Sequence, residues 1–369
     1  MTGTSHIYNT LEGGMAHGLR KVLLIYTGGT IGMGRNTRTG VLEPLDFRHL
    51  MDNLYELRSL NTEVDTYSLP HPLDSSNMSP GHWARLARIV ADRYNAYDGF
   101  VILHGTDTMA YTSSALSFIL GNLTKPVILT GSQLPIGQPR TDAKENLLTS
   151  IELAASCDED GFARVPEVCI YFNGHLLRGN RATKQNAGGF NAFESFNYPH
   201  LCDAGVSFTF RSHHILQPDR HLPLAVHTEM NPDVVVFSLF PGIQEHIVKH
   251  VLGAPELKGI VIRSFGSGNA PQNPWILKLL RNASDHGVTI VNISQCETGC
   301  VEMGLYAPGM QLQEAGVVSG YDSTVEAAVT KLMHLNGLYD DAEMVRALMG
   351  RSLCGEVSVP RKCAEEYAG

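Results

Sequence analysis

Two threonine clusters mark where this chain could do chemistry: Thr27-Gly28-Gly29-Thr30-Ile31-Gly32 and His104-Gly105-Thr106-Asp107-Thr108-Met109. A threonine hydroxyl is a poor nucleophile at neutral pH. Its attack on an amide carbonyl requires a neighbouring base, and donors aimed at the oxygen that becomes negative. Paired glycines leave backbone N–H groups open to such an anion and let a ligand come close. Asp107 adjoins Thr106, and a lysine stands at Lys184 in Arg178-Gly179-Asn180-Arg181-Ala182-Thr183-Lys184, read here as a polar loop. A desolvated lysine disfavours its ammonium form and can accept a proton through a hydroxyl while a carboxylate holds it in place. On its own, a lysine in such a loop reads more readily as a solvated surface charge. The residues leave open whether Thr27 or Thr106 attacks first. Thr30, Thr108 and His104 read as local support: hydroxyls that tie loops, and an imidazole satisfied inside the fold.

The elements that must position these groups are short apolar runs, expected to be strands buried on both faces: Lys21–Tyr26, Gly99–Leu103, Pro126–Leu129 and Val168–Phe172. Ser79 and Pro80 open a helix that puts Trp83, Leu86, Ala87 and Val90 on one face, and Asp142 opens another. Strands alternating with helices imply a largely parallel sheet whose ligands bind beyond the carboxyl ends of its strands. Both threonine clusters follow strands directly, so they are expected to share one edge, with Thr27 at its lip. The His- and Pro-rich stretch 212–232 reads as a connection. Beyond it Val234–Leu239, Leu257–Ser264 and Val288–Ser294 form a second α/β set, with a helix ending at Gly287. The fold class is therefore α/β. A loosely held extension (1–20) precedes a larger N-terminal, mainly parallel domain (21–211), the linker, and a smaller Rossmann-like C-terminal domain (233–369).

Composition removes other classes. The chain has 369 residues, with 28 basic and 37 acidic side chains and a net charge of -9, and no basic run tracks a phosphate backbone. No secretory signal and no membrane span is visible. The 7 cysteines are an odd set without a small-scaffold spacing, which suits free thiols in the cytoplasm. Cys296-x3-Cys300 lacks a second pair, and His246-x3-His250 lacks the glutamate and third ligand of a zinc hydrolase. The glycines after Thr27 do not spell a dinucleotide fingerprint, and Arg35 stands where a phosphate loop needs lysine. No cofactor, metal or nucleic-acid partner is expected.

The motifs YTGGTIGM, PLDSSNM, GFVILHGTDTMAYT, PVILTGSQ, RGNRATK and RSFGSGNAP, in that order between Lys21 and Leu353, closely resemble the type I L-asparaginase family. The resemblance implies hydrolysis of the side-chain amide of L-asparagine through a β-aspartyl-enzyme. Thr27 is then the nucleophile and Thr106 with Asp107 and Lys184 the activating group. Asp74, Ser75 and Ser76 with Asp107 grip the substrate, Asn77 occupying a position that is acidic in relatives. Val41 stands where many members carry a lid tyrosine, and Tyr306 matches an alternative tyrosine that orients Thr27 or relays its proton. The resemblance further implies a homotetramer, a dimer of dimers in which Asn269 reaches a neighbour's site. It also implies an allosteric asparagine site marked by Thr183, Arg263 and Cys296. Rival readings are a glutaminase-asparaginase, an amidotransferase subunit that feeds ammonia to misacylated transfer RNA, and an amino-acid sensor without catalysis. The short segment ahead of the first strand argues against the amidotransferase, and the retained Thr27, Thr106, Asp107 and Lys184 against the sensor.

Overall fold

The computed structural model describes residues 19–35, 42–44, 55–304 and 307–359. Val41, Tyr306, Cys363 and the extension ahead of Leu19 lie outside the described residues.

Strand β1 (Arg20–Gly28) is apolar from Val22 to Tyr26, and each face of that run is buried. Successive side chains in a strand leave on opposite sides. Leu23 and Ile25 accordingly join one core with Trp83, Leu86, Leu116 and Ile119, while Val22, Leu24 and Tyr26 join another with Leu147, Ile151 and Ala154. The strands around β1 are β2 (Thr62–Leu73), β3 (Gly99–Leu103), β4 (Val127–Thr130), β5 (Val168–Phe172) and β6 (His175–Arg178). Two short strands, β7 (Thr183–Lys184) and β8 (Phe193–Glu194), pair off to one side, and β9 (Cys202–Ala204) and β10 (Phe208–Phe210) complete the large sheet. Its eight strands run β10-β9-β6-β5-β4-β3-β1-β2. The neighbours from β2 through β5 are parallel, and β6, β9 and β10 add antiparallel pairings. The smaller sheet, β11 (Val234–Ser238), β12 (Gly259–Ser264), β13 (Thr289–Ser294) and β14 (Val317–Ser319), is wholly parallel.

Helices α1 (Pro80–Arg93), α2 (Met109–Ile119) and α3 (Ala143–Ala155) cover the large sheet. The smaller sheet packs among α4 (Glu245–Leu252), α5 (Pro274–Asp285), α6 (Ala307–Glu314), α7 (Val325–Leu338) and α8 (Ala342–Met349). Among the described residues no helix is long and apolar enough to cross a membrane. Trp83, Leu86, Ala87 and Val90 are buried as the spacing predicts. The capping differs from expectation in detail. The Ser79 hydroxyl pairs with His82 Nδ1 at 2.8 Å instead of capping α1. The Asp142 carboxylate accepts from the backbone of Gln133 and Leu134 instead of capping α3.

Strand β2 has no counterpart in the sequence reading. Its twelve residues, TEVDTYSLPHPL, are polar and carry two prolines. A proline cannot donate to a ladder, so it is tolerated at a sheet edge, and β2 is an edge strand. Helix α2 packs on α7, so the two halves of the chain meet through these helices. The Arg181–Asp322 ion pair, 2.9 Å with side chains 2% and 9% exposed, sits in that seam and is too dry to be a surface contact.

Candidate active site

Three adjacent parallel strands deliver the threonine clusters to one crest. β2 runs into a single turn at Ser75–Asn77, β1 ends at Thr27-Gly28, and β3 leads through His104-Gly105 into a turn at Thr106–Thr108. Glycine is what lets these turns touch. A Cβ on Gly28 would lie 2.2 Å from the Leu73 carbonyl oxygen, one on Gly29 2.6 Å from Gly105 N, and one on Gly105 2.5 Å from Ser75 Oγ. Gly28 and Gly29 also hold φ at 129° and 88°, a region that favours glycine. Across these turns the Thr108 hydroxyl donates to the Ser75 carbonyl at 2.7 Å, the supporting role expected of it. Asp74 is exposed and its carboxylate accepts from Ser76 N at 3.0 Å, so it caps its own turn; Ser75 is buried.

Thr27 is 1% exposed, so it forms the floor of the crest rather than its lip. It stands where the pairing of β1 with β2 shifts register between Tyr26 and Gly28, and its hydroxyl donates to the Leu103 carbonyl of β3 at 2.8 Å. His104 is fully buried, with Nδ1 2.6 Å from the Gly105 carbonyl and Nε2 2.9 Å from the Thr112 hydroxyl. Burial pushes its pKa down to about 4, so the ring is neutral and structural.

Lys184 comes from the segment that follows β6. Its segment is anchored on α2, where the Ser113 hydroxyl donates to the Gly179 carbonyl at 2.8 Å and a Cβ on Gly179 would lie 2.9 Å from Ser113 Cβ. Lys184 then pairs as part of β7 with Phe193 of β8, which corrects its reading as a loop residue. Its ammonium group donates to Thr106 Oγ1 at 2.8 Å and to Asp107 Oδ1 at 2.7 Å. The lysine side chain is 18% exposed and that of Asp107 64%. Thr106 therefore accepts from Lys184, and in turn donates to Gln133 Oε1 at 3.3 Å. Gln133 is held by its amide group donating to the Gly189 carbonyl at 2.9 Å. Gln133 closes the PVILTGSQ motif, and nothing in its residue type or spacing signals this contact.

Thr106, Asp107 and Lys184 are thus joined directly, Ser75 lies against Gly105, and Thr27 lies on the neighbouring strand with its hydroxyl turned to Leu103. Asn269 is elsewhere, in a turn of the smaller sheet where it bridges Phe265. Thr183, Arg263 and Cys296 line a separate cavity of about 120 Å³, on whose wall Lys184 also stands. There the Thr183 hydroxyl donates to Glu326 Oε1 at 2.7 Å. Burial raises the Glu326 pKa, and its Oε2 and Arg263 Nε are buried without partners. Glu326 escaped the sequence reading because it lies on α7 of the other half of the chain.

The family model described as "Asparaginase, N-terminal" matches residues 21–216, and that described as "Glutaminase/Asparaginase C-terminal domain" matches residues 233–349. L-asparaginase 1 of Escherichia coli strain K12 is 43% identical over 343 residues, covering 92% of this chain and 98% of that protein. The 60 kDa lysophospholipase of Mus musculus is 40% identical over 369 residues, covering 92% of this chain and 63% of that longer protein. Among solved structures, L-asparaginase I of Vibrio cholerae superposes with a TM-score of 0.84 at 38% identity, covering 92% of this chain and 99% of that one.

Proposed function

Because the chain belongs to the asparaginase/glutaminase family and is an enzyme of it, we propose that it hydrolyses the side-chain amide of L-asparagine to L-aspartate and ammonia by threonine chemistry. The observation that carries this reading is the placement of Lys184 Nζ, 2.8 Å from Thr106 and 2.7 Å from Asp107, at the crest where Thr27 ends its strand. The Thr27 hydroxyl rotates away from the Leu103 carbonyl and attacks the amide carbon. A hydroxyl hydrogen turns freely to suit its partner. The proton passes through Thr106, whose own hydrogen swings from Gln133 to Lys184 in its neutral form, and is returned to the departing nitrogen. Backbone N–H groups of the Gly28-Gly29 turn stabilise the oxyanion, each such donor being worth about 3 to 4 kcal/mol of barrier. Ammonia leaves, and a water activated by the same relay hydrolyses the β-aspartyl ester on Thr27. Ser75 and Asp107 grip the α-carboxylate and α-amino group, with Asp74 and Ser76 shaping that turn, and Tyr306 orients Thr27.

The 120 Å³ cavity is well below the roughly 300 to 1,000 Å³ of pockets for drug-sized ligands. An unpaired guanidinium nitrogen and an unpaired carboxylate oxygen suit the two charges of a free amino acid. Thr183, Arg263 and Cys296 are therefore assigned to an allosteric asparagine site, one peptide unit from the catalytic lysine. Asn269, in the Phe265 turn of the smaller sheet, is assigned to a neighbour's site in a homotetramer. Cytoplasmic residence is proposed from the six free cysteines of the described residues. Domains at 21–211 and 233–369, joined by 212–232, are proposed from the two sheets. The test is a coupled ammonia assay with L-asparagine, L-glutamine and D-asparagine. Preferential release from L-asparagine supports the reading, and no release from any of the three contradicts it. A glutaminase-asparaginase would hydrolyse both L-amides at comparable rates, since one methylene is worth only about 1 to 3 kcal/mol.

A further inference from the structure

At the antiparallel end of the large sheet His175 opens β6, and Asp203 stands opposite it in register on β9. Residues directly opposite in an antiparallel pair share a face. His200, three residues before Asp203, brings a second imidazole. His175 Nδ1 lies 2.9 Å and His200 Nδ1 3.0 Å from the same oxygen, Asp203 Oδ1. The two rings are 4.3 Å apart, and each of the three residues offers a ligand atom within 4.8 Å of the others. Two further groups fix them from behind. Arg211 donates to Asp203 Oδ2, and His200 Nε2 faces Glu194 Oε1 at 3.0 Å.

We propose that His175, His200 and Asp203 bind one divalent transition-metal ion of the zinc type, at a structural site separate from the asparagine chemistry. Two imidazole nitrogens and one carboxylate oxygen suit zinc, cobalt or nickel over magnesium or calcium. Tetrahedral bonds of about 2.0 to 2.1 Å place neighbouring ligand atoms roughly 3.3 Å apart, so each nitrogen-to-Asp203 distance opens by only a few tenths of an ångström, and the ligand atoms of the two rings already lie within 4.8 Å of each other. Each Nδ1 binds the ion unprotonated, as the neutral tautomer whose hydrogen sits on Nε2. His175 keeps a hydrogen on Nε2, and His200 keeps the one it gives to Glu194. A ligating histidine that donates its other N–H to a carboxylate is the usual outer support of such sites. Arg211 holds Oδ2 and leaves Oδ1 for the ion, and water takes the fourth position. The three side chains are 43%, 21% and 32% exposed, so an ion can enter. Once bound, it ties β6 and β9 to the segment that follows β8. Glu194 and Phe193 of β8 pair in turn with Thr183 and Lys184.

The experiment is titration of the chelator-stripped full-length protein with cobalt(II), followed by zinc(II) competition, read by calorimetry and by the visible and near-ultraviolet spectrum. The expected result is one equivalent per chain with a nitrogen-and-oxygen spectrum, displaced by zinc, and a thermal midpoint that rises with zinc. His175→Gln and Asp203→Asn should each weaken binding by more than about 100-fold, and Glu194→Gln by about 10- to 100-fold. Should Asp203→Asn fold poorly once Arg211 loses its partner, His175→Gln and His200→Gln decide the matter. No uptake by the wild-type protein would overturn the proposal. So would thiolate-to-cobalt bands pointing to the cysteines, or undiminished affinity in both histidine variants.

Discussion

Replacing Lys184 by methionine keeps the length of the side chain and removes its charge, which separates the lysine's contribution to stability from its contribution to turnover. The two lost hydrogen bonds measure 2.8 and 2.7 Å, but one partner, Asp107, is 64% exposed and can turn to water. An ion pair of that kind contributes about 0 to 1 kcal/mol to stability. The melting temperature should therefore fall by no more than about 2 to 4 °C. A general base contributes about 10²- to 10⁴-fold to rate. At 1.36 kcal/mol per factor of ten, the barrier should rise by about 3 to 5 kcal/mol. Thermal unfolding followed by circular dichroism and steady-state ammonia release from L-asparagine read the two effects on the same preparation. A Lys184→Met protein that melts normally and retains kcat/KM within about tenfold of wild type would refute the relay.

Three further outcomes follow from the geometry. Gly105→Ala places a Cβ 2.5 Å from Ser75 Oγ, so the Ser75 turn must shift; KM for asparagine should rise severalfold or more in the same assay, and an unchanged KM would contradict the packing of the crest. His104 and His334 each have a pKa lowered by burial to about 4, from an ordinary 6.5. Above about pH 6.5 both rings are neutral folded or unfolded, whereas between 6.5 and 4 the unfolded chain takes up protons the fold refuses. Stability should therefore decrease as pH is lowered from 6.5 to 4, and His104→Gln should flatten the slope of denaturation midpoint against pH. Arg263→Ala should convert a sigmoidal dependence of rate on asparagine concentration into a hyperbolic one. A wild-type curve that is already hyperbolic and unchanged by the substitution would count against the allosteric assignment.

What the sequence made legible follows a physical division. Runs buried on both faces, such as Gly99–Leu103 and Val168–Phe172, announce themselves because every residue must be apolar, and both are strands with those bounds. β2 stayed hidden because an edge strand half in solvent carries no such requirement and admits Pro70 and Pro72. The glycine-threonine turns were legible through residue type, since close backbone approach excludes a Cβ. Their depth was not: nothing in TGGTIG reveals that Thr27 belongs to the strand and lies buried against Leu103. Lys184 is 77 residues from Asp107 in the chain, and only the resemblance singled it out from other lysines. Glu326 is 143 residues from Thr183, and Asp203 meets His175 only through strand pairing, so both contacts exist only in three dimensions.

In the proposed mechanism Thr27, activated through Thr106 and Lys184, forms the covalent bond to the substrate. Rapid quenching of the enzyme during turnover of L-asparagine, followed by peptide mass mapping, tests it most directly. A β-aspartyl adduct is expected on the peptide that carries Thr27, and none after Thr27→Ala. An adduct on the Thr106 peptide, or ammonia release at a near-normal rate from Thr27→Ala, would contradict it.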